Sequence, residues 1–177
     1  VGPARRDLGI RTVFNILGPL ANPANTDYIL LGVYDKALLE PMAGVLMNLG
    51  IKRAMLVYGN DRLDEISISD TTSVCEIRDG KTSLYEINPE DYGMKLANKE
   101  DIVGGTADDN AKITLGILKG EIQGAKRDIV LLNAGCALYI CGKAESISEG
   151  ISQAKASIDA GWAFAKLEQL IKISNEL

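Results

Sequence analysis

At 177 residues, 46% of them apolar, the chain suits one domain with a sizeable core, or a small domain with an appendage. A net charge of −5 excludes a general nucleic-acid-binding surface, which needs a basic face, although a local basic patch remains open. There is no histidine, so any chemistry must rest on carboxylates, Arg, Lys, hydroxyls or backbone groups.

The first stretch, "ARRDLGIRTVFNILGPLANPANT", mixes short helical pieces with the breakers Gly18-Pro19 and Asn22-Pro23. "DYILLGVY" (27–34) is an apolar run of strand length. Asp35 then caps a helix whose Leu38, Met42, Val45, Leu46 and Leu49 share one face, with Pro41 expected to kink its early turns and Gly50 to end it. "RAMLVYG" (53–59) is the next strand. Strand, helix and strand at this spacing form a βαβ unit, with parallel neighbours buried on both faces.

"TSVCEIRDGKTSLYEI" holds two strand-like runs joined by Asp79-Gly80, a two-residue hairpin signal that makes the sheet mixed. After "NPEDYGMKL", Thr106 and Asp109 cap a helix that ends near Gly120. "RDIVLLNAGCALYICGKA" is apolar all round and predicts a buried helix ending at Gly142. Within it, Asn133 reads as a satisfied core amide. Ser146 and Glu149 form a capping box for a helix carrying Ile147, Ile151, Ala154 and Ile158. The last helix is expected to bury Phe164, Leu167, Leu170 and Ile171 and to expose Lys166, Glu168 and Lys172. The predicted fold is α/β: a mixed sheet with helices packed on it. Cys75, Cys136 and Cys141 have neither metal-ligand spacing nor disulfide density, and read as reduced core thiols in a cytosolic protein. No apolar run is long enough to span a bilayer and no signal peptide is visible. The opening at Val1 reads like the middle of a larger protein.

Four places are candidates for chemistry. In "NDRLDEISISD" (60–70), Asp64 and Glu65 follow a strand end, where α/β enzymes tend to place their chemistry. Neighbours on an extended strand face opposite ways, so the two carboxylates share one ion only if the backbone turns, or else serve two ions. An oxygen pair with room for waters suits Mg²⁺; a solvated turn is the plain alternative. Arg5, Arg6 and Arg11 offer guanidinium forks for a carboxylate or phosphate, against simple surface solubility. Gly18 offers backbone that a flat ligand approaches closely, against an ordinary turn. "VGGTADDNA" resembles a phosphate cradle, but Asp108 and Asp109 place negative charge where an anion would sit, so it reads as a helix cap.

Taken in order, "RRDLGIRTVFNILGPLANPA", "LLGVYD", "VYGNDRLDEISIS", "GGTADDNA" and "RDIVLLNAGCALYICGKA" resemble the C-terminal part of the anthranilate phosphoribosyltransferase family. The resemblance implies a three-layer α/β/α fold with a mixed sheet, the C-terminal part of the nucleoside phosphorylase/phosphoribosyltransferase catalytic domain. It implies transfer of the phosphoribosyl group from 5-phosphoribosyl diphosphate to anthranilate in tryptophan synthesis, with Mg²⁺, by a cytoplasmic protein. Position by position, Arg5 matches the family's arginine in the anthranilate pocket and Gly18 the glycine of the turn lining it. Asp64 and Glu65 match the acidic pair that binds Mg²⁺. Thr106 departs from the acidic residue expected after the two glycines, but caps equally well.

The family's glycine-rich diphosphate loop, its Lys/Asn segment and its helical N-terminal domain with the homodimer contact do not occur in these 177 residues. The expectation is a C-terminal fragment, inactive alone. The alternatives are a nucleoside phosphorylase of the same fold and a non-catalytic nucleic-acid-binding relative. The second is expected to lack the acidic pair and to carry a basic face. No nucleic-acid and no membrane partner is expected.

Overall fold

The computed structural model describes residues 18, 20–23 and 26–176. In that span the chain forms β1 (Tyr28–Gly32), a 3-10 turn (Lys36–Leu38), α1 (Leu39–Asn48), β2 (Arg53–Gly59), β3 (Thr72–Arg78), β4 (Lys81–Ile87), a second 3-10 turn (Pro89–Tyr92) and α2 (Lys99–Ile102). Four longer helices follow: α3 (Ala107–Leu118), α4 (Ala125–Ile140), α5 (Ile147–Asp159) and α6 (Trp162–Asn175).

The sheet runs in the order β1-β2-β3-β4. β1 and β2 are parallel, with Tyr28 opposite Arg53 and Gly32 opposite Val57, as the βαβ spacing requires. The remaining pairs are antiparallel, and Arg78 sits opposite Lys81 across the hairpin. Asp79 (φ 53°) and Gly80 (φ 71°) both take left-handed backbone, which matches the right-handed twist of the two strands.

Successive strand residues point to opposite faces, and this sorts the core into two halves. Ala54, Leu56, Cys75 and Ile77 face α1 and meet Met42, Ala43 and Leu46. Met55, Val57 and Val74 face the other way and meet Leu132, Cys136 and Ile140 of α4 and Ala154 and Ile158 of α5. Helices therefore cover both sides of a mixed sheet, the three-layer α/β/α arrangement. α4 and α5 touch backbone to backbone: a Cβ on Gly150 would lie 2.2 Å from the Gly135 carbonyl oxygen.

Several local expectations are met and others corrected. Asp35 accepts a hydrogen bond from the Ala37 amide and opens the 3-10 turn. Pro41 falls in the first turn of α1, where its missing N–H has no intrahelical partner to lose. Thr106 and Asp109 form a reciprocal capping box on α3. At α5 the Ser146 hydroxyl accepts from the Glu149 amide, but the Glu149 carboxylate reaches back to the Glu145 amide instead of Ser146 (3.1 and 2.8 Å). α4 ends at Ile140 and is not buried all round, since Val130 is exposed.

α6 departs most. Phe164 and Leu167 are half-buried, while Leu170 and Ile171 are exposed, as are Trp162 and Ile173. The period-3.6 pattern identifies an apolar face but not a partner for it. Here α6 meets α5 and α3, and an apolar cleft of about 780 Å³ opens between these helices and α4, with Leu118, Val130, Leu138 and Trp162 on its walls. Cys75 and Cys136 are core thiols, and burial pushes Cys136 up to about 12, whereas Cys141 is exposed. Among the described residues no helix is long and apolar enough to cross a membrane.

Candidate active site

The acidic loop begins where β2 stops. Arg62 donates its amide to the Gly59 carbonyl (2.7 Å) and Gly59 donates to Leu63 (2.9 Å), which closes a tight turn over Asn60-Asp61. Arg62 completes it in the left-handed region, φ 78°. A side-chain-bearing residue there costs about 1–2 kcal/mol relative to ordinary backbone.

The loop is then pinned on both sides of the acid pair. Asn60 bonds the Thr71 hydroxyl (2.7 Å) and accepts from Ser73 (2.9 Å). Asp61 accepts from the Ser67 hydroxyl (2.9 Å) and from Ser69, and the Lys99 ammonium donates to its carbonyl. Ile66, Ser67 and Ile68 are fully buried. The Asn133 amide of α4 bridges Ile66, accepting from its N–H at 3.0 Å and donating to its carbonyl at 2.8 Å. Asn133 is thus the satisfied amide expected from sequence. Its function as a brace for the acidic loop, 67 residues away, carries no local sequence signal.

Asp64 and Glu65 sit on the exposed bend between these anchors. The bend rests on β1: a Cβ on Gly32 would lie 1.5 Å from the Asp64 carbonyl oxygen, so only glycine admits this approach. The two side chains line different cavities. Asp64 shares one of about 440 Å³ with Tyr34, Asp35, Tyr58 and Arg62. Glu65 shares one of about 270 Å³ with Leu63, Lys99, Ile102, Val103 and Ile129. Of the two arrangements open from sequence, this is the one in which the carboxylates face different spaces. Tyr34, Tyr58, Arg62 and Lys99 line these cavities and are not among the candidates singled out from sequence.

Partial burial, then the charges of Asp64 and Asp61, raise the Glu65 carboxyl above its ordinary value. No hydrogen bond or ion pair among the described residues neutralises either member of the pair. Among the described residues no group of three or more metal-ligating side chains converges. Arg5 lies outside the described residues. Gly18 is exposed, and a Cβ there would meet no described residue within 4 Å; it is not among the described residues lining either cavity.

The fold agrees with comparisons to known proteins. A family model described as "Glycosyl transferase family, a/b domain" matches residues 1–164. The chain belongs to this glycosyl transferase family. Two curated members named anthranilate phosphoribosyltransferase, from Methanobrevibacter smithii and Clostridium beijerinckii, are each 54% identical over 99% and 96% of this chain. The chain spans about half their length, 52% and 50%. The anthranilate phosphoribosyltransferase of Thermus thermophilus superposes on it with a TM-score of 0.86 at 40% identity, over 96% of this chain and 50% of that one. The Saccharomyces cerevisiae enzyme, solved in complex with PRPP and Mg, does so with a TM-score of 0.91 at 28% identity, over all of this chain and 51% of that one.

Proposed function

We propose that the chain is the C-terminal part of an anthranilate phosphoribosyltransferase, which joins anthranilate to 5-phosphoribosyl diphosphate and releases diphosphate, with Mg²⁺ at Asp64 and Glu65. The observation that carries this reading is the acid pair at the carboxyl end of the parallel strands, left without a neutralising partner among the described residues, in a fold that superposes on a relative solved with PRPP and Mg.

The residues present fit the ion. Two exposed carboxylates supply hard oxygen donors and leave room for water around an ion. That suits Mg²⁺, which keeps several waters and takes its remaining oxygens from substrate phosphates. Partial burial first, and then the charges of Asp64 and Asp61, raise the Glu65 carboxyl, and a divalent cation beside it would favour the ionised form.

When bound, the ion supplies positive charge to the departing diphosphate. The chain's own share is positioning. Gly32 and Asn133 hold the bend, so that Asp64 and Glu65 are presented at fixed places beside their cavities. Arg5 grips the anthranilate carboxylate with its guanidinium fork, and the open backbone at Gly18 forms a flat wall for the ring. The reaction breaks a C1–O bond through an oxocarbenium-like transition state, in which leaving-group charge is the quantity to stabilise, so no histidine is required.

The test joins this chain to the N-terminal half of the Methanobrevibacter smithii relative and follows consumption of anthranilate with Mg²⁺ and 5-phosphoribosyl diphosphate. Product formation that a chelator abolishes is expected, while the 177-residue chain alone forms none but melts at a higher temperature with Mg²⁺. A folded chimera without turnover, together with a chain whose melting ignores Mg²⁺, overturns the reading.

A further inference from the structure

Arg62 has no explanation in the fold. It occupies the left-handed corner of the turn after β2, a place that glycine fills without cost, and it is exposed. No ion pair or side-chain hydrogen bond among the described residues holds its guanidinium, so none of them offsets the strained backbone by pairing. What the corner does achieve is placement. Its side chain lines the same 440 Å³ cavity as Asp64, beside the hydroxyl-bearing rings of Tyr34 and Tyr58.

The charges of that cavity narrow the ligand. Among the described residues that line it, Asp35 and Asp64 set two carboxylates against one guanidinium, and Asp35 is already engaged in capping the Ala37 amide. A bare anion meets net negative charge there, and a bare cation meets Arg62. A ligand that carries both signs satisfies both walls: a divalent cation toward Asp64 and a phosphate toward the guanidinium, whose planar fork matches two phosphate oxygens. We propose that Arg62 is a binding residue for a phosphate group of Mg²⁺-bound diphosphate, and that the backbone strain at this position is retained for that contact. This rests on the Mg²⁺ reading of Asp64 given above and deepens it, adding a phosphate-binding residue two positions before Asp64 in the chain.

Strain and binding predict opposite signs for one substitution, which makes the test sharp. Arg62→Gly relieves the left-handed corner, so the melting temperature of the metal-free chain holds or rises. Calorimetric titration with inorganic diphosphate and Mg²⁺ shows affinity weakened about tenfold or more, the loss expected for a charge-assisted pair. Titration with Mg²⁺ alone is unchanged or tighter, because a neighbouring cation has gone. Arg62→Lys keeps the charge without the fork and falls between.

Affinity of Arg62→Gly for Mg²⁺-diphosphate within about twofold of the parent overturns the proposal. So does a loss of binding for Mg²⁺ alone as large as that for Mg²⁺-diphosphate, which would mean a collapsed loop. The metal reading is judged separately, on Asp64→Ala with Glu65→Ala. If that pair leaves Mg²⁺ affinity intact, the assignment of the ion fails, and the Arg62 result is then decided with diphosphate alone.

Discussion

Glu76 and the Asp64-Glu65 pair belong to the same sheet-centred domain and meet opposite treatment. Glu76, buried on β3, has both carboxylate oxygens occupied: Tyr85 donates at 2.8 Å and Tyr139 at 3.0 Å. Arg78 donates in turn to the Tyr139 hydroxyl (3.2 Å), and the Arg53 guanidinium lies 5.2 Å from the Tyr139 ring centroid. Burial and the ordered acceptor push the Tyr85 hydroxyl up, further out of the titrating range. Asp64 and Glu65 are exposed and lack such partners among the described residues. A carboxylate surrounded by its donors is finished as structure; one held rigidly without them has its capacity left for a ligand.

The strongest way to break this contrast is to remove the open pair. Asp64→Ala with Glu65→Ala should lower Mg²⁺-dependent turnover of the chimera by on the order of a hundredfold or more. It should leave the metal-free melting temperature of the chain no lower, and steady-state rates with a thermal melt check both halves of that statement. Asn133→Leu comes next. It leaves the buried N–H and carbonyl of Ile66 without their partner, at a cost of about 3 kcal/mol in a denaturant titration, and it loosens the Mg²⁺ response with it. Tyr139→Phe probes the finished site: about 1–2 kcal/mol of stability is lost, yet the Mg²⁺-induced rise in melting temperature is unchanged. If Mg²⁺ stabilisation fell as far in Tyr139→Phe as in the double alanine variant, the two sites would not be distinct in kind.

The smallest effect concerns pH. The folded state holds the Glu65 proton more tightly than the unfolded chain does. Its contribution to stability is therefore present below the unfolded value and is lost as pH rises through the raised folded value. Glu65→Gln should accordingly melt slightly higher than the parent at about pH 7 without metal, with the gap closing toward about pH 4. Mg²⁺ should stabilise the parent less as acidification protonates Glu65. A parent that is the more stable of the two near neutral pH would contradict the electrostatic account.

Local chemistry was readable from the residues wherever neighbours in sequence determine it. Asp79-Gly80 declares its hairpin, Asp35 and Thr106 declare helix starts, and the paired apolar runs declare the βαβ unit. The acid pair was visible as residues, and its placement after β2 followed from the strand pattern. What stayed hidden depends on distant partners. Nothing near Asn133 announces Ile66, nothing near Gly32 announces the Asp64 carbonyl, and the division of Asp64 and Glu65 between two cavities emerges only when α2 and α4 close one side. The expected burial of Leu170 and Ile171 failed for the complementary reason: periodicity records a face, while burial requires something opposite it.

Trp162 gives that uncovered face an optical consequence. It is the only tryptophan in the chain and is 70% exposed at the rim of the apolar cleft. The intrinsic emission of the protein is therefore a single-site signal. In this structure it should be red-shifted and open to quenching by iodide, and anything that comes to lie over the cleft will move it toward the blue. That colour change reports the covering of α6 with no label attached, on a channel independent of the events at Asp64 and Glu65.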